Sequence, residues 1–256
     1  MGSRNDRPFR QLTMTDILAR IITEKRRVIP SSVLDSNYVP RPFLHKNNFQ
    51  VIAEIKRGSP SLGLVAPDLS IEETLRRYES LGVSAVSVLT EEAYFYGSLK
   101  DLELARSMTK LPLLRKDFMV DVFQISESKY CGADAMLIIM AAFEDEIVPR
   151  QLMAESRRLG LSVLTEVHNK VELERALSIG AEIIGVNNRD LHCFKTDINV
   201  SLELVKYIPD DIIKVTESGI KTVEDLRRLR DAGYNAALIG EAFLNVEGFD
   251  EVIQQL

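Results

Sequence analysis

The chain has no tryptophan, 3 histidines and 2 cysteines, and no apolar run approaching the ~18 residues that a membrane-spanning helix needs. Each scarcity removes a class of function. Cys131 and Cys193 stand apart, without the CxxC spacing of a zinc site or the density of a disulfide framework, so a reducing, cytoplasmic setting is expected. His45, His168 and His192 are scattered and have no i, i+4 or carboxylate arrangement suited to a metal, so no metal site is expected, and His168 reads as a solvated loop histidine. Without tryptophan, and with 7 tyrosines, no aromatic platform for stacking bases is apparent. Lys plus Arg number 32 against 38 Asp plus Glu, and the formal charge of -6 disfavours nucleic acid or an anionic membrane as partner. From the polar start "MGSRNDRPFRQ" no secretory leader is expected, and Asp6 stands where N-myristoylation wants Ser or Thr. GxSxG elbow, P-loop and EF-hand loop are all missing.

What is present has a rhythm. Eight short apolar runs begin at residues 51, 85, 112, 135, 162, 183, 212 and 236, and segments of helical periodicity lie between them, such as "SIEETLRRYESLG" and "TVEDLRRLRDAG". Four of these segments end in a glycine suited to a left-handed helix stop, Gly82, Gly160, Gly180 and Gly233. Nearly continuous apolar runs suit parallel strands covered on both faces. The expected fold is therefore α/β, a (β/α)8 TIM barrel over residues 47–256. A doubly wound open sheet is the alternative, weakened because no GxGxxG follows the first strand. Residues 1–46 lie outside the rhythm and read as an N-terminal helical extension, with Ile17, Ile21, Ile22 and Val28 on one stripe. That helix either caps one end of the barrel or packs on its outer wall.

In such a barrel, chemistry sits at the C-terminal strand ends. Here those ends carry Glu54 and Lys56, Lys116 and Asp117, Glu166, then Asn187, Asn188 and Arg189, then Glu217 and Ser218. Strand alternation puts Glu54 and Lys56 on one face, and the same parity aims Lys116 and Glu166 at the mouth. Rim ion pairs would look alike residue by residue, but so many buried charges are costly unless a site uses them. "SGI" and "IGEAF" after the last two strands are small-residue turns in the loops that commonly bind phosphate, and Ser59 adds a hydroxyl, so a phosphorylated small molecule is the expected ligand.

The motifs "AEIKRGSPSLG", "SVLTEEAYFYGS", "LLRKDFMVDVFQISESKYCGADAMLII", "LTEVHNKVELERAL", "IIGVNNRDL", "ESGI" and "ALIGEAFL" together resemble the indole-3-glycerol phosphate synthases of tryptophan biosynthesis, in order and spacing over roughly residues 50–245. The resemblance implies conversion of 1-(2-carboxyphenylamino)-1-deoxyribulose 5-phosphate to indole-3-glycerol phosphate, without cofactor or metal. It implies Lys116 as general acid in ring closure, Glu166 as the group assisting later proton removal, and Lys56 in carboxylate binding or acid catalysis of dehydration. Glu54 and Glu217 would keep the lysines charged and oriented, with Asn187 at the reacting centre. Arg189 would face the anthranilate carboxylate, with Ser218 nearby, and Phe95, Phe118 and Leu137 would form the slot for the aromatic ring. Phosphate would fall to Ser59, Gly219, Gly240 and Glu241. Two departures from the family pattern stand out: Glu241 replaces a serine, so only its N–H is expected to face phosphate, and Gly58 replaces a larger residue and is expected to loosen the first loop. Association with other enzymes of the pathway is a further expectation. A Schiff-base aldolase acting on a sugar phosphate, or a non-catalytic barrel that binds a partner, are the competing readings.

Overall fold

Each of the eight apolar runs forms a strand in a computed structural model, which describes residues 14–27, 36–190, 193 and 195–240. The strands are β1 (Gln50–Ile55), β2 (Ala85–Leu89), β3 (Leu113–Lys116), β4 (Ala135–Ile139), β5 (Ser162–Val167), β6 (Ile183–Asn187), β7 (Ile213–Glu217) and β8 (Ala236–Ile239). All neighbours pair in parallel, and the sheet closes because β1 pairs with both β2, at Ile52↔Ala85, and β8, at Gln50↔Ala236. Closure rules out the open sheet. The chain forms a (β/α)8 barrel.

Helices α2 (Ile71–Ser80), α3 (Leu99–Met108), α4 (Phe123–Tyr130), α5 (Ile147–Leu159), α6 (Lys170–Ser178), α7 (Asn199–Leu204) and α8 (Val223–Asp231) lie between successive strands, after α1 (Met14–Arg27). Their starts follow from local chemistry: Ser70, Ser98, Asn169 and Thr222 each accept a backbone N–H of the first turn through the side chain. The expected glycine stops all take positive φ, from 72° at Gly82 to 104° at Gly233.

Alternation then sorts the strand side chains. One set, with Val86, Val88, Ile184 and Val186, packs outward on the helices. The other, with Ile52, Leu114, Leu164, Ile183 and Val215, fills the barrel. The floor of that inner core is supplied by Phe43 and Leu44, which the boundary expected at 46/47 would have assigned to the extension. Asp134 pins this segment: it accepts from Tyr38 Oη at 2.5 Å, the Arg41 N–H at 2.6 Å, Arg106 at 3.0 Å and the Leu113 N–H at 2.8 Å. Four donors on one buried carboxylate offset the cost of removing its charge from water.

At the other end lies α1. Its Ile17, Leu18 and Ile21 are buried, Leu18 lines the cavity at the barrel mouth, and Lys25 Nζ reaches Asp117 Oδ1 at 2.6 Å just beyond β3. The helix thus packs over the C-terminal strand ends; Val28, expected on the same stripe, lies outside the described residues.

Candidate active site

Inside the barrel the apolar rows end in charge with a period of two: Ile52 gives way to Glu54 and Lys56, Leu114 to Lys116, Leu164 to Glu166, Ile183 and Gly185 to Asn187, and Val215 to Glu217. The register places these groups around one mouth, with Asn187 opposite Glu217 and Glu166 opposite Gly185. Lys116 Nζ lies 2.8 Å from Glu217 Oε2 and 3.4 Å from Glu54 Oε2, and Lys56 Nζ lies 3.0 Å from Glu54 Oε1. Two lysines are therefore chained to two carboxylates, with Glu166 acting on Lys116 through space.

Two glycines make this possible. A Cβ at Gly185 would stand 2.2 Å from Glu217 Oε1, and one at Gly240 would stand 2.7 Å from Glu54 Oε1. Gly240, expected as part of a phosphate turn, is therefore also the residue that makes room for the Glu54 carboxylate.

Burial and neighbouring charge set the protonation states. Burial works against the Lys116 ammonium, but Glu217, Glu54 and Glu166 outweigh it and hold its pKa above the ordinary lysine value. Burial also opposes ionisation of Glu54, yet Lys56 and Lys116 bring it down to about 2. At Glu217 burial prevails: Lys116 lowers its pKa, Glu166 and Glu54 raise it, and the carboxyl is pushed up to about 7. Among the described residues no donor reaches Glu217 Oε1, which is why desolvation wins there. Glu166 goes below the usual carboxylate range, because His168, then Lys116 and the Asn187 side chain, outweigh its burial.

The cavity over these charges has apolar walls. Phe95 and Phe118 stand with ring centroids 6.1 Å apart at 42°, joined by Leu137, Leu89 and Ile139, and by Leu18 from α1. Ser59, Arg189 and Ser218 line the same cavity. Ser218 and Gly219 both take positive φ, 65° and 76°, so the loop after β7 turns back at the mouth. Glu241 lies outside the described residues. Asp117 and Asn188, equally prominent at strand ends, have their side chains tied up in structural contacts: Asp117, at the edge of the same cavity, pairs with Lys25 and Arg115, while Asn188 bonds Thr216 and the Glu217 and Ser218 carbonyls.

Gly58 departs from expectation. It is buried in a short ribbon in which Gly58 pairs with Leu64 and Ser59 with Gly63, and a Cβ there would come within 2.5 Å of Gly63 O and the Tyr96 ring. The small residue permits tight packing of the first loop instead of loosening it. His168 departs further, being buried between Glu166 and Glu172. The available signal was Glu172 at i+4 behind an Asn-x-x-Glu helix start.

Residues 22–256 match the family described as indole-3-glycerol phosphate synthase. The chain belongs to that family. It is 50% identical over 199 residues to the indole-3-glycerol phosphate synthase of Chloroherpeton thalassium, covering 77% of this chain and 76% of that protein. With the indole-3-glycerol phosphate synthase of Syntrophobacter fumaroxidans it shares 40% identity over 260 residues, 95% of this chain and 98% of the relative. That of Caldanaerobacter subterraneus is 46% identical over 204 residues. Membership in the indole-3-glycerol phosphate synthase family accords with a mouth that combines two lysines paired to carboxylates, an apolar slot and small-residue loops.

Proposed function

We propose that the chain closes an indole ring, converting 1-(2-carboxyphenylamino)-1-deoxyribulose 5-phosphate to indole-3-glycerol phosphate with release of carbon dioxide and water, as a carboxy-lyase of tryptophan biosynthesis. The observation that carries this reading is the Lys116 ammonium, held between Glu54 and Glu217 beside a slot of Phe95, Phe118 and Leu137. The aromatic ring of the substrate enters the slot, with its carboxylate toward Arg189. Phosphate goes to Ser59 and to the backbone N–H groups near Gly219 and Gly240.

As the ring carbon that bears the carboxylate bonds to the ketone carbon, negative charge grows on the ketone oxygen. Lys116 donates its proton there, and its raised pKa keeps that proton in place until the charge develops. Carbon dioxide leaves from the same ring carbon, and its bonding electrons restore the aromatic ring. The apolar slot favours this step by leaving the departing carboxylate poorly solvated. Water is then lost: Lys56 assists the hydroxyl, and the proton on the adjacent carbon passes to Glu166, whose lowered pKa keeps it ionised.

The Schiff-base aldolase reading requires a neutral lysine, which a cluster of carboxylates disfavours. Two free cysteines suit a reducing cytoplasm, and no helix among the described residues is long and apolar enough to cross a membrane.

The test is direct because the protein has no indole of its own. On addition of substrate an indole absorbance should appear. Lys116→Ala should lower kcat at least about a hundredfold with an unchanged circular dichroism spectrum. Near-normal turnover in the folded variant removes the assignment.

A further inference from the structure

After Glu166 the chain turns through Val167, His168 and Asn169 into α6. Asn169 caps that helix: its Oδ1 accepts the Glu172 N–H at 3.0 Å, and its Nδ2 donates to Glu172 Oε1 at 2.7 Å. The other Glu172 oxygen, Oε2, accepts the His168 backbone N–H at 2.8 Å and stands 3.0 Å from His168 Nδ1. Both Glu172 oxygens are thus committed, and the imidazole is held on one side by the first turn of a capped helix. Its other nitrogen, Nε2, lies 3.3 Å from Glu166 Oε1, within ion-pair range though not aligned as a hydrogen bond. The ring is 9% exposed. An imidazole that meets a carboxylate at each nitrogen is best satisfied with a proton on both.

We propose that His168 is a positioning residue for the ring-closing reaction: clamped by Glu172 as an imidazolium, it holds Glu166 in place and in the ionised form that accepts a proton. The charged and polar groups around the pair are Glu172 on α6 and, around Glu166, Lys116 on β3, Asn187 on β6 and Glu217 on β7. Lys116 is in contact with Glu54 and Glu217 and reaches Glu166 through space, so the imidazolium is the cation placed against the Glu166 carboxylate at 3.3 Å. Burial disfavours a charged His168, but Glu166 and Glu172 outweigh it and raise its pKa to about 10. Were His168 merely a packing residue, the ionisation of Glu166 would not depend on it.

The inference rests on Glu166 as the proton acceptor, and two measurements separate the two ideas. Nitrogen NMR of the unmutated protein, which has 3 histidines to assign, should show both His168 ring nitrogens protonated at about pH 8. In His168→Gln the Glu166 pKa rises, so the acid limb of the kcat profile should move upward. Turnover should drop about tenfold or more near pH 6 and recover near pH 9, with KM little changed. Glu172→Gln keeps the imidazole but removes its clamp, and should move the same limb the same way by less; it also decides the matter if His168→Gln fails to fold. A neutral His168 at pH 8, or an acid limb that stays in place in the folded variants, overturns the role of His168. Failure of the unmutated protein to form any indole product overturns the reading of Glu166 instead.

Discussion

Gly185 and Gly240 face into the barrel beside Glu217 and Glu54, where a single methyl group has no room. In Gly185→Ala the new Cβ would meet the carboxylate at 2.2 Å, so Glu217 must swing away and Lys116 loses its closest anion. Overpacking of this kind costs about 1 to 3 kcal/mol, while misplacing a catalytic group by about 1 Å costs about a hundredfold in rate. The expected outcome is a folded protein with a modestly lower Tm and kcat down by about a hundredfold; an unaffected kcat would show that Glu217 does not need its present position. The charged members of the site were legible as residues because each sits where an apolar strand run ends, a local pattern. The glycines that make room for them were not, since nothing local says that a glycine is opposed by a carboxylate on the neighbouring strand, far away in sequence. His168 was obscured similarly: burial between Glu166 and Glu172 depends on how α6 leaves β5, and a loop histidine is ordinarily solvated.

Among the elements, α1 shows what periodicity can and cannot say. Its stripe of Ile17 and Ile21 implies a buried face, but a stripe carries no address; the contacts of Leu18 with the cavity and of Lys25 with Asp117 put the helix at the barrel mouth instead of the outer wall. Lysine on an amphipathic helix reads as solvent-facing; here Lys25 supplies a counter-charge to an aspartate adjacent in sequence to Lys116. Asp117 keeps Arg115 and Thr90 as partners, so losing Lys25 should not unfold the barrel. Lys25→Met is therefore expected to loosen α1 over the mouth and raise KM by up to about tenfold, corresponding to ~1.4 kcal/mol. Its Tm should change by only about 2 °C. An unchanged KM would mean that the helix holds its place without this pair. The strands themselves were readable because alternation, helix caps and glycine stops all act within a few residues, whereas the docking of α1 is decided by a contact from residue 25 to residue 117.

At the scale of the whole molecule, the buried charges set how stability follows pH. Glu54, lowered from 4.5 to about 2, adds stability that is present above pH 4.5 and lost as pH falls through 2. His168, raised from 6.5 to about 10, adds stability that is complete below pH 6.5 and lost as pH rises through 10. Glu217, raised from 4.5 to about 7, likewise favours the folded state most below pH 4.5, and that benefit is gone once pH passes 7. Both raised groups push the optimum to the acid side of neutrality. Tm from calorimetry should therefore peak near about pH 5 to 6 and decline toward about pH 9, with a shallower decline in His168→Gln. A Tm that climbs through that interval would contradict these protonation states.

The Asp134 joint bears on where the chain can be cut. Tyr38, Arg41, Phe43 and Leu44 close the floor from a segment that precedes the first strand, so the smallest autonomous piece begins ahead of the barrel proper. A chain starting at residue 36 should still unfold in one cooperative step, because Asp134 keeps all its donors. One starting at residue 47 exposes Ile52, Ala85 and Leu114 from below and leaves a buried carboxylate short of two partners. Trypsin should digest that shorter chain promptly while sparing the longer one.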